Sequence, residues 1–289
     1  MPRAIVLTNP TSGKGRGARM RDDALPRFHD AGWRTTALTG RDAGEALDLA
    51  RLAVAEEPDV LVLCGGDGMV NIGLQAAAGT EVPVGILPAG TGNDFARYFD
   101  LPLGHGAAAA TRILQASPRT IDLARIGGRY FGGVLAAGFD AIVNERANRM
   151  RWPRGQMRYN LATLAELRVF EPLPYVLELD GVERRLEAML VAVGNGPSFG
   201  GGLRITHGAQ LDDGLLDVVL IKPVSRVELV RTFPKLFDGR HVSHPQYERH
   251  RVRRVTIASP GIVGYADGER FGPLPLTVEV VPGAVRVMA

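Results

Sequence analysis

Cys64 is the only cysteine in this 289-residue chain, which excludes a disulfide-stapled scaffold and any zinc site built on cysteine. Lysine is nearly as scarce. Lys14, Lys222 and Lys235 are three of 34 basic residues and arginine supplies the rest, an imbalance that a preference for arginine codons explains. Charge of one sign is also lacking: 34 basic against 31 acidic residues leave +3, too mild to imply nucleic acid. Aromatic residues, 6% of the chain, leave few positions on which bases could stack. No apolar run approaches the ~18 residues of a membrane span. The run over residues 3–8 is too short for the apolar region of a signal peptide, so a cytoplasmic chain that meets membranes from the soluble side is expected. The six histidines show no metal-binding spacing beyond His241 and His244. What is present is ordinary: 45% hydrophobic and 22% charged residues, material for a sizeable core in a length that suits about two domains.

The first 120 residues alternate short apolar runs with longer helical patterns. Residues 3–8, 34–38, 59–64 and 83–87 read as strands, while 43–57 carry Leu47, Ala50 and Val54 at helical spacing. Such alternation predicts a largely parallel sheet covered by helices. After Pro118 strands dominate, over 121–126, 130–135, 176–180, 186–193, 215–221, 252–258 and 261–266, with helical patterns near 139–151, 159–170 and 227–237. The expected architecture is therefore α/β plus β. An N-terminal α/β nucleotide-binding domain spans 1–122, and a β-rich antiparallel sandwich spans 123–276 with the active site in the cleft. A tail over 277–289 returns to the first domain, as a hairpin turning at Pro282-Gly283.

Three glycine-rich loops follow strands, where such folds bind ligands. Asn9-Pro-Thr-Ser-Gly-Lys-Gly-Arg-Gly17 lets backbone N–H groups approach an anion, and Lys14 and Arg16 add positive charge. It is not a Walker A loop. Its Gly13, Gly15, Ala18 pattern lacks the acidic partner a dinucleotide site needs, since Thr35-Thr-Ala-Leu38 stands there. Phosphate contact and a plain strand-to-helix turn both remain open. Gly65-Gly-Asp-Gly68 places Asp67 beside an anion cradle, where a carboxylate makes sense if Mg²⁺ or a transferable proton lies between. In Leu87-Pro-Ala-Gly-Thr-Gly-Asn-Asp-Phe-Ala-Arg97, Thr91, Asn93 and Asp94 either meet a ligand or cap a helix.

These three loops, in this order and spacing, resemble the catalytic domain of diacylglycerol and related lipid kinases. The resemblance continues through Ala137-Gly-Phe-Asp140, Val193-Gly-Asn195, Gly200-Gly201, Asp212-Asp-Gly-Leu-Leu-Asp217 and Asp267-Gly-Glu269, covering essentially the whole chain. It implies an ATP- and Mg²⁺-dependent kinase acting on a hydroxyl of diacylglycerol or a similar lipid. Asn9, Pro10, Thr11, Ser12, Gly13, Lys14, Thr39, Gly65, Gly66, Asp67, Gly68, Met69, Asn71, Thr91 and Asn93 would surround the nucleotide. Glu269 and Asp267 inherit the role of accepting the hydroxyl proton, and Asp67 that of positioning nucleotide and Mg²⁺. Gln210, Asp213 and the Leu215 carbonyl match positions that hold a structural Mg²⁺ in some members. Met69 and Ile72 depart from the usual Thr and Glu. They keep open a nucleotide-binding regulator without catalysis, beside a kinase of a soluble or polyketide-like alcohol.

On the lipid side, Arg146, Arg149, Arg151, Arg154 and Arg158 alternate with Met150, Trp152 and Met157 and no acid. They suit anionic headgroups or an ordinary solvated face. Arg249, Arg251, Arg253 and Arg254 form a second cluster that alternation along a strand explains. Expected partners are a lipid at the inner membrane face and no nucleic acid, with a homodimer kept open.

Overall fold

A computed structural model describes residues 1–138, 143, 146, 150, 152 and 171–289. Strands β1 (Arg3–Thr8), β2 (Arg34–Thr39), β3 (Val60–Gly65) and β4 (Val84–Pro88) pair in parallel in the order β2-β1-β3-β4. Residue alternation sends their side chains into two cores. Ile5, Leu7, Leu61, Leu63, Val84 and Ile86 meet α2 (Ala43–Ala55) and α3 (Asp67–Ala77). Ala4, Val6, Val60, Val62 and Cys64 face α1 (Ser12–Asp30) and α5 (Gly106–Gln115). Burial on both faces is why β1, β3 and β4 read as continuous apolar runs. The short α4 (Asp94–Tyr98) follows β4 at the ligand edge of the sheet.

The β-rich part packs two sheets face to face. β8 (Leu173–Leu179), β9 (Val182–Ala188) and β13 (Arg254–Ala258) extend the first sheet. The second has the order β12-β11-β10-β7-β14-β15. Its strands are β7 (Val134–Gly138), β10 (Leu190–Gly194), β11 (Leu216–Ile221), β12 (Tyr247–Val252), β14 (Val263–Ala266) and β15 (Glu269–Pro273). Tyr175, Leu177, Val255 and Ile257 from one sheet meet Leu135, Val191, Val193 and Val218 from the other, and all are buried. The expected strand over 186–193 is two strands, because the chain turns at Met189 and crosses between the sheets. The expected helix near 227–237 is α6 (Arg226–Thr232) followed by a 3₁₀ turn, Phe233–Leu236.

The tail departs from expectation. Residues 276–288 form one strand, β16 (Leu276–Met288), not a hairpin. β5 (Pro118–Ile126), which continues into the short β6 (Arg129–Phe131), runs antiparallel along both halves of β16, so the halves cannot pair with each other. Pro282 and Gly283 lie at the register shift between Val281 and Val285. The first half of β16 pairs with β13, and Val287 and Met288 pair with Val84 and Gly85 of β4. One ten-stranded sheet thereby runs through both parts of the molecule. Buried Asp122 secures the bulge, accepting from Gly283 N at 2.8 Å and from Gly214 N at 2.7 Å. Among the described residues no helix is long and apolar enough to cross a membrane. The helical patterns near 139–151 and 159–170 lie almost wholly outside the described residues, as do Arg149, Arg151, Arg154 and Arg158 of the arginine-rich stretch 146–158. Trp152 is 79% exposed.

Candidate active site

The three glycine loops leave the carboxyl ends of β1, β3 and β4 and touch one another. Gly13 has φ 58°, and a Cβ there would lie 2.0 Å from the Ala89 carbonyl oxygen, so only glycine lets the first loop rest on the third. A Cβ on Gly90 would come within 2.5 Å of Gly66 Cα, which joins the third loop to the second. Arg16 ties them further, donating from Nε to Gly13 O at 3.0 Å and from its guanidinium to Gly90 O at 2.9 Å. Buried Asn93 spends its amide on the loop itself, accepting from Gly90 N at 2.9 Å and donating to Gly90 O at 3.1 Å. Lys14 is exposed within the left-handed turn of the first loop.

A cavity of about 810 Å³ opens beside this cradle. Of the sequence-predicted residues, Asn9, Thr11, Ser12, Gly66, Gly68, Met69 and Asn71 line it, and Glu269 reaches it from the β-rich part. Thr39 ends β2 opposite Thr8, next to Gly40 of the cavity wall. Pro10, Gly13, Lys14 and Gly65 build the loops instead of the lining. Met69 is buried, with its Cβ against Gly65, so it contributes packing where a hydroxyl was expected. Arg41, Gln75 and Arg129 also line the cavity. Gln75 holds β6 against α3, donating to Tyr130 O at 2.7 Å and accepting from Tyr130 N at 2.9 Å.

A second cavity of about 550 Å³ lies in the cleft and gathers Asp67, Thr91, Asp94, Tyr98 and Asp267. Asp267-Gly268 is a two-residue hairpin between β14 and β15, with φ of 51° and 82°, the left-handed pair of a type I′ turn. The Asp267 carboxylate accepts from Gly132 N at 2.9 Å and Gly133 N at 3.1 Å. Burial outweighs those bonds and pushes its pKa up to about 6, with the Asp67 charge adding to the rise. Burial and neighbouring Asp94 raise Asp67, and burial raises Asp94. A Cβ on Gly92 would meet Asp67 Oδ2 at 2.9 Å and Asp94 Oδ2 at 3.5 Å, so both carboxylates crowd one glycine. Asp94 accepts from Gly201 N at 2.7 Å and Gly202 N at 2.8 Å, which carries the third loop across the cleft. Tyr98 donates its hydroxyl to Ser198 O. Burial, reinforced by Asp267, Asp94 and Asp67, keeps that phenol protonated.

Residues 3–126 match the family model described as "Diacylglycerol kinase catalytic domain", and 133–289 match "YegS C-terminal NAD kinase beta sandwich-like domain". The diacylglycerol kinase of Mycobacterium tuberculosis is 44% identical over 99% of this chain and 94% of that protein. The chain belongs to the diacylglycerol kinase catalytic-domain family. Its activity class is therefore that of a phosphotransferase of the lipid-kinase type. The diacylglycerol kinase of Bacillus subtilis is 28% identical over 95% of the chain and 92% of its own length. The fold is shared with a crystal structure of a putative diacylglycerol kinase from Bacillus anthracis, at TM-score 0.81 and 23% identity, covering 99% of this chain and 94% of that one.

The loop matching the family's structural Mg²⁺ position is bridged by arginine. The Arg251 guanidinium lies on Asp213 Oδ2, and Leu215 N donates to Oδ1 at 3.0 Å. Asp212 pairs with Arg119 at 2.7 Å, and buried Asp217 pairs with Arg249. Gln210 is exposed. Of the expected metal set of Gln210, Asp213 and Leu215, Asp213 is thus engaged by Arg251 and Gln210 stands at the surface. Arg249 and Arg251 alternate along β12, whereas Arg253 follows that strand and Arg254 opens β13; the acidic partners of the first two gave no signal in the sequence. Asp122 and Tyr98 were missed as well. Asp122 is a lone acid inside an apolar run, and that placement is the one signal that could have found it.

Proposed function

We propose that this protein transfers the γ-phosphoryl group of ATP, with Mg²⁺, to a hydroxyl of diacylglycerol or a related lipid. The observation that carries this reading is the Asp267-Gly268-Glu269 hairpin standing between two cavities. Glu269 faces the one lined by the glycine loops, and Asp267 faces the one lined by Val70, Phe95, Val134, Phe199 and Tyr265. The first suits a nucleotide, whose phosphates the loop amides would orient. The second has apolar walls and a single cluster of acids, which suits an acyl substrate presenting one hydroxyl.

Asp267 is the base in this scheme. With a pKa of about 6 it is ionised at neutral pH, yet basic enough to accept a proton as the substrate oxygen forms its bond to phosphorus and ADP leaves. The amides of Gly132 and Gly133 hold its carboxylate in place. Tyr98, a fixed neutral donor, closes one wall. Mg²⁺ would be held by Asp67 and Asp94, buried carboxylates of the type a hard cation takes, and would supply charge neutralisation on the transferring phosphoryl group. Among the described residues no three acidic, histidine or cysteine side chains stand at metal-binding spacing. An ion of this kind is bound by one or two carboxylates together with nucleotide phosphates.

The test is turnover of purified protein with labelled ATP, Mg²⁺ and a panel of lipids in mixed micelles. Labelled diacylglycerol phosphate is the expected product. Label only on a water-soluble alcohol would move the substrate class, and no labelled lipid under any condition would overturn the reading.

A further inference from the structure

The segment that begins with α6 buries none of its side chains through the 3₁₀ turn. Val227, Val230, Phe233 and Phe237 are 59%, 55%, 37% and 53% exposed. Their spacing of three, three and four residues places them along one side of the helical run. Phe233 and Phe237 meet edge to face at 6.1 Å between ring centres. Four adjacent large apolar groups held out to solvent are not a scatter of single exposed residues.

Two observations say what covers this stripe. The first is charge. Arg226, Arg231, Lys235 and Arg240 flank it against Glu228 and Asp238. The two acids are engaged, Glu228 by His244 and Asp238 by Arg240, which leaves Arg226, Arg231 and Lys235 facing outward. An apolar ridge bordered by cations complements an anionic lipid surface. The second is continuity. Phe237, at the end of the ridge, also lines the cleft cavity with Asp67 and Asp267. Nearby, Leu236 packs on buried Ile205 and Val219, and its carbonyl accepts from Arg204 N at 2.8 Å, which anchors the segment to the sandwich. The ridge therefore ends at the mouth of the site.

We infer that α6 and the following turn form a bilayer-docking ridge. Val227, Val230 and Phe233 insert at the interface, Arg226, Arg231 and Lys235 bind anionic headgroups, and Phe237 marks where a membrane-embedded substrate passes into the cleft. None of these residues belongs to the arginine-rich stretch 146–158. The entry route rests on the lipid-kinase reading; the docking itself does not, and it is measured without turnover.

The experiment is co-sedimentation of the full chain with phosphatidylglycerol/phosphatidylcholine vesicles and with phosphatidylcholine vesicles alone. Wild-type protein should bind the anionic vesicles. Val227→Ser/Val230→Ser/Phe233→Ser should weaken that binding at least tenfold with an unchanged thermal midpoint, since these side chains support no core. Arg226→Gln/Arg231→Gln/Lys235→Gln should abolish the preference for anionic vesicles. On a short-chain substrate below its micelle concentration, the apolar triple variant should keep wild-type turnover, and on vesicles it should lose most of it. Wild-type vesicle binding by the apolar triple variant would overturn the proposal. So would concentration-dependent self-association that the same variant abolishes, which would make the ridge a contact between copies. Absence of turnover on every lipid with vesicle binding intact would refute the kinase reading and leave the docking ridge standing.

Discussion

Replacing Asp267 by asparagine should destroy turnover and stabilise the fold. The carboxylate is ordinarily at 3.8 and here rises to about 6. Between those pH values the native state holds a proton that the unfolded chain has released. Stability therefore falls as pH rises through that window, and at neutral pH the ionised group works against folding. A tenfold step in acidity is 1.36 kcal/mol, so the full rise corresponds to about 3 kcal/mol; water entering the open cleft reduces this to about 1–3 kcal/mol. The asparagine oxygen can still accept from Gly132 N and Gly133 N, since Asp267 Oδ2 lies 2.9 and 3.3 Å from them. Its amide nitrogen then takes the place of Oδ1, 3.1 Å from Gly133 N, and this donor-to-donor contact offsets part of the gain. We expect Asp267→Asn to raise the thermal midpoint at pH 7.5 by about 2–6 °C, a gain that shrinks towards pH 4, where Asp267 is already protonated. Turnover should fall by roughly 10²–10⁴. Wild-type turnover should rise with pH through about 6, and the residual rate of the variant should lose that inflection. Scanning fluorimetry across pH and a radiolabel kinase assay read the two arms. A variant that keeps its rate, or a stability difference that does not depend on pH, would refute the reasoning.

Glu269→Gln should keep kcat within about threefold of wild type, because Glu269 is exposed on the nucleotide side and the proposed scheme assigns proton transfer to Asp267; a loss equal to that of Asp267→Asn would move the base. Chelation by EDTA should leave the thermal midpoint of the nucleotide-free protein unchanged, since Arg251 already neutralises Asp213. Arg251→Leu should cost about 1–2 kcal/mol, a charged hydrogen bond discounted for exposure, and a midpoint that drops on chelation would restore the metal site. Asp122→Ala should cost about 1–3 kcal/mol in urea melts, because the N–H groups of half-buried Gly214 and exposed Gly283 lose a charged acceptor that water replaces only in part; a change below about 0.5 kcal/mol would show that Gly214 and Gly283 need no such bridge.

Much of this was legible without coordinates. The parallel strands announce themselves because burial on both faces leaves uninterrupted apolar runs. Their loops announce themselves because Gly13, Gly66 and Gly90 stand where backbones must nearly touch, and no other residue tolerates that approach. Asp67 and the Asp267-Gly268 hairpin were likewise readable, as an acid among glycines and as a turn between apolar segments. The course of the tail was not. Pro282-Gly283 suits a hairpin locally, and only the long partner β5 turns the segment into one strand with a bulge. Nor could adjacency separate Asp267 from Glu269. Their distinct surroundings arise because the turn places one carboxylate in the cleft and the other on the nucleotide side, and burial then raises the pKa of Asp267 to about 6. The arginines opposite Asp213 and Asp217 lie more than thirty residues away in sequence, and strand pairing alone brings them together. Local physics, written in residue type and spacing, thus determined the elements and loops. The raised pKa of Asp267, the arginines opposite Asp213 and Asp217 and the joining of two sheets depend on contacts between distant segments, and only the tertiary structure decided them.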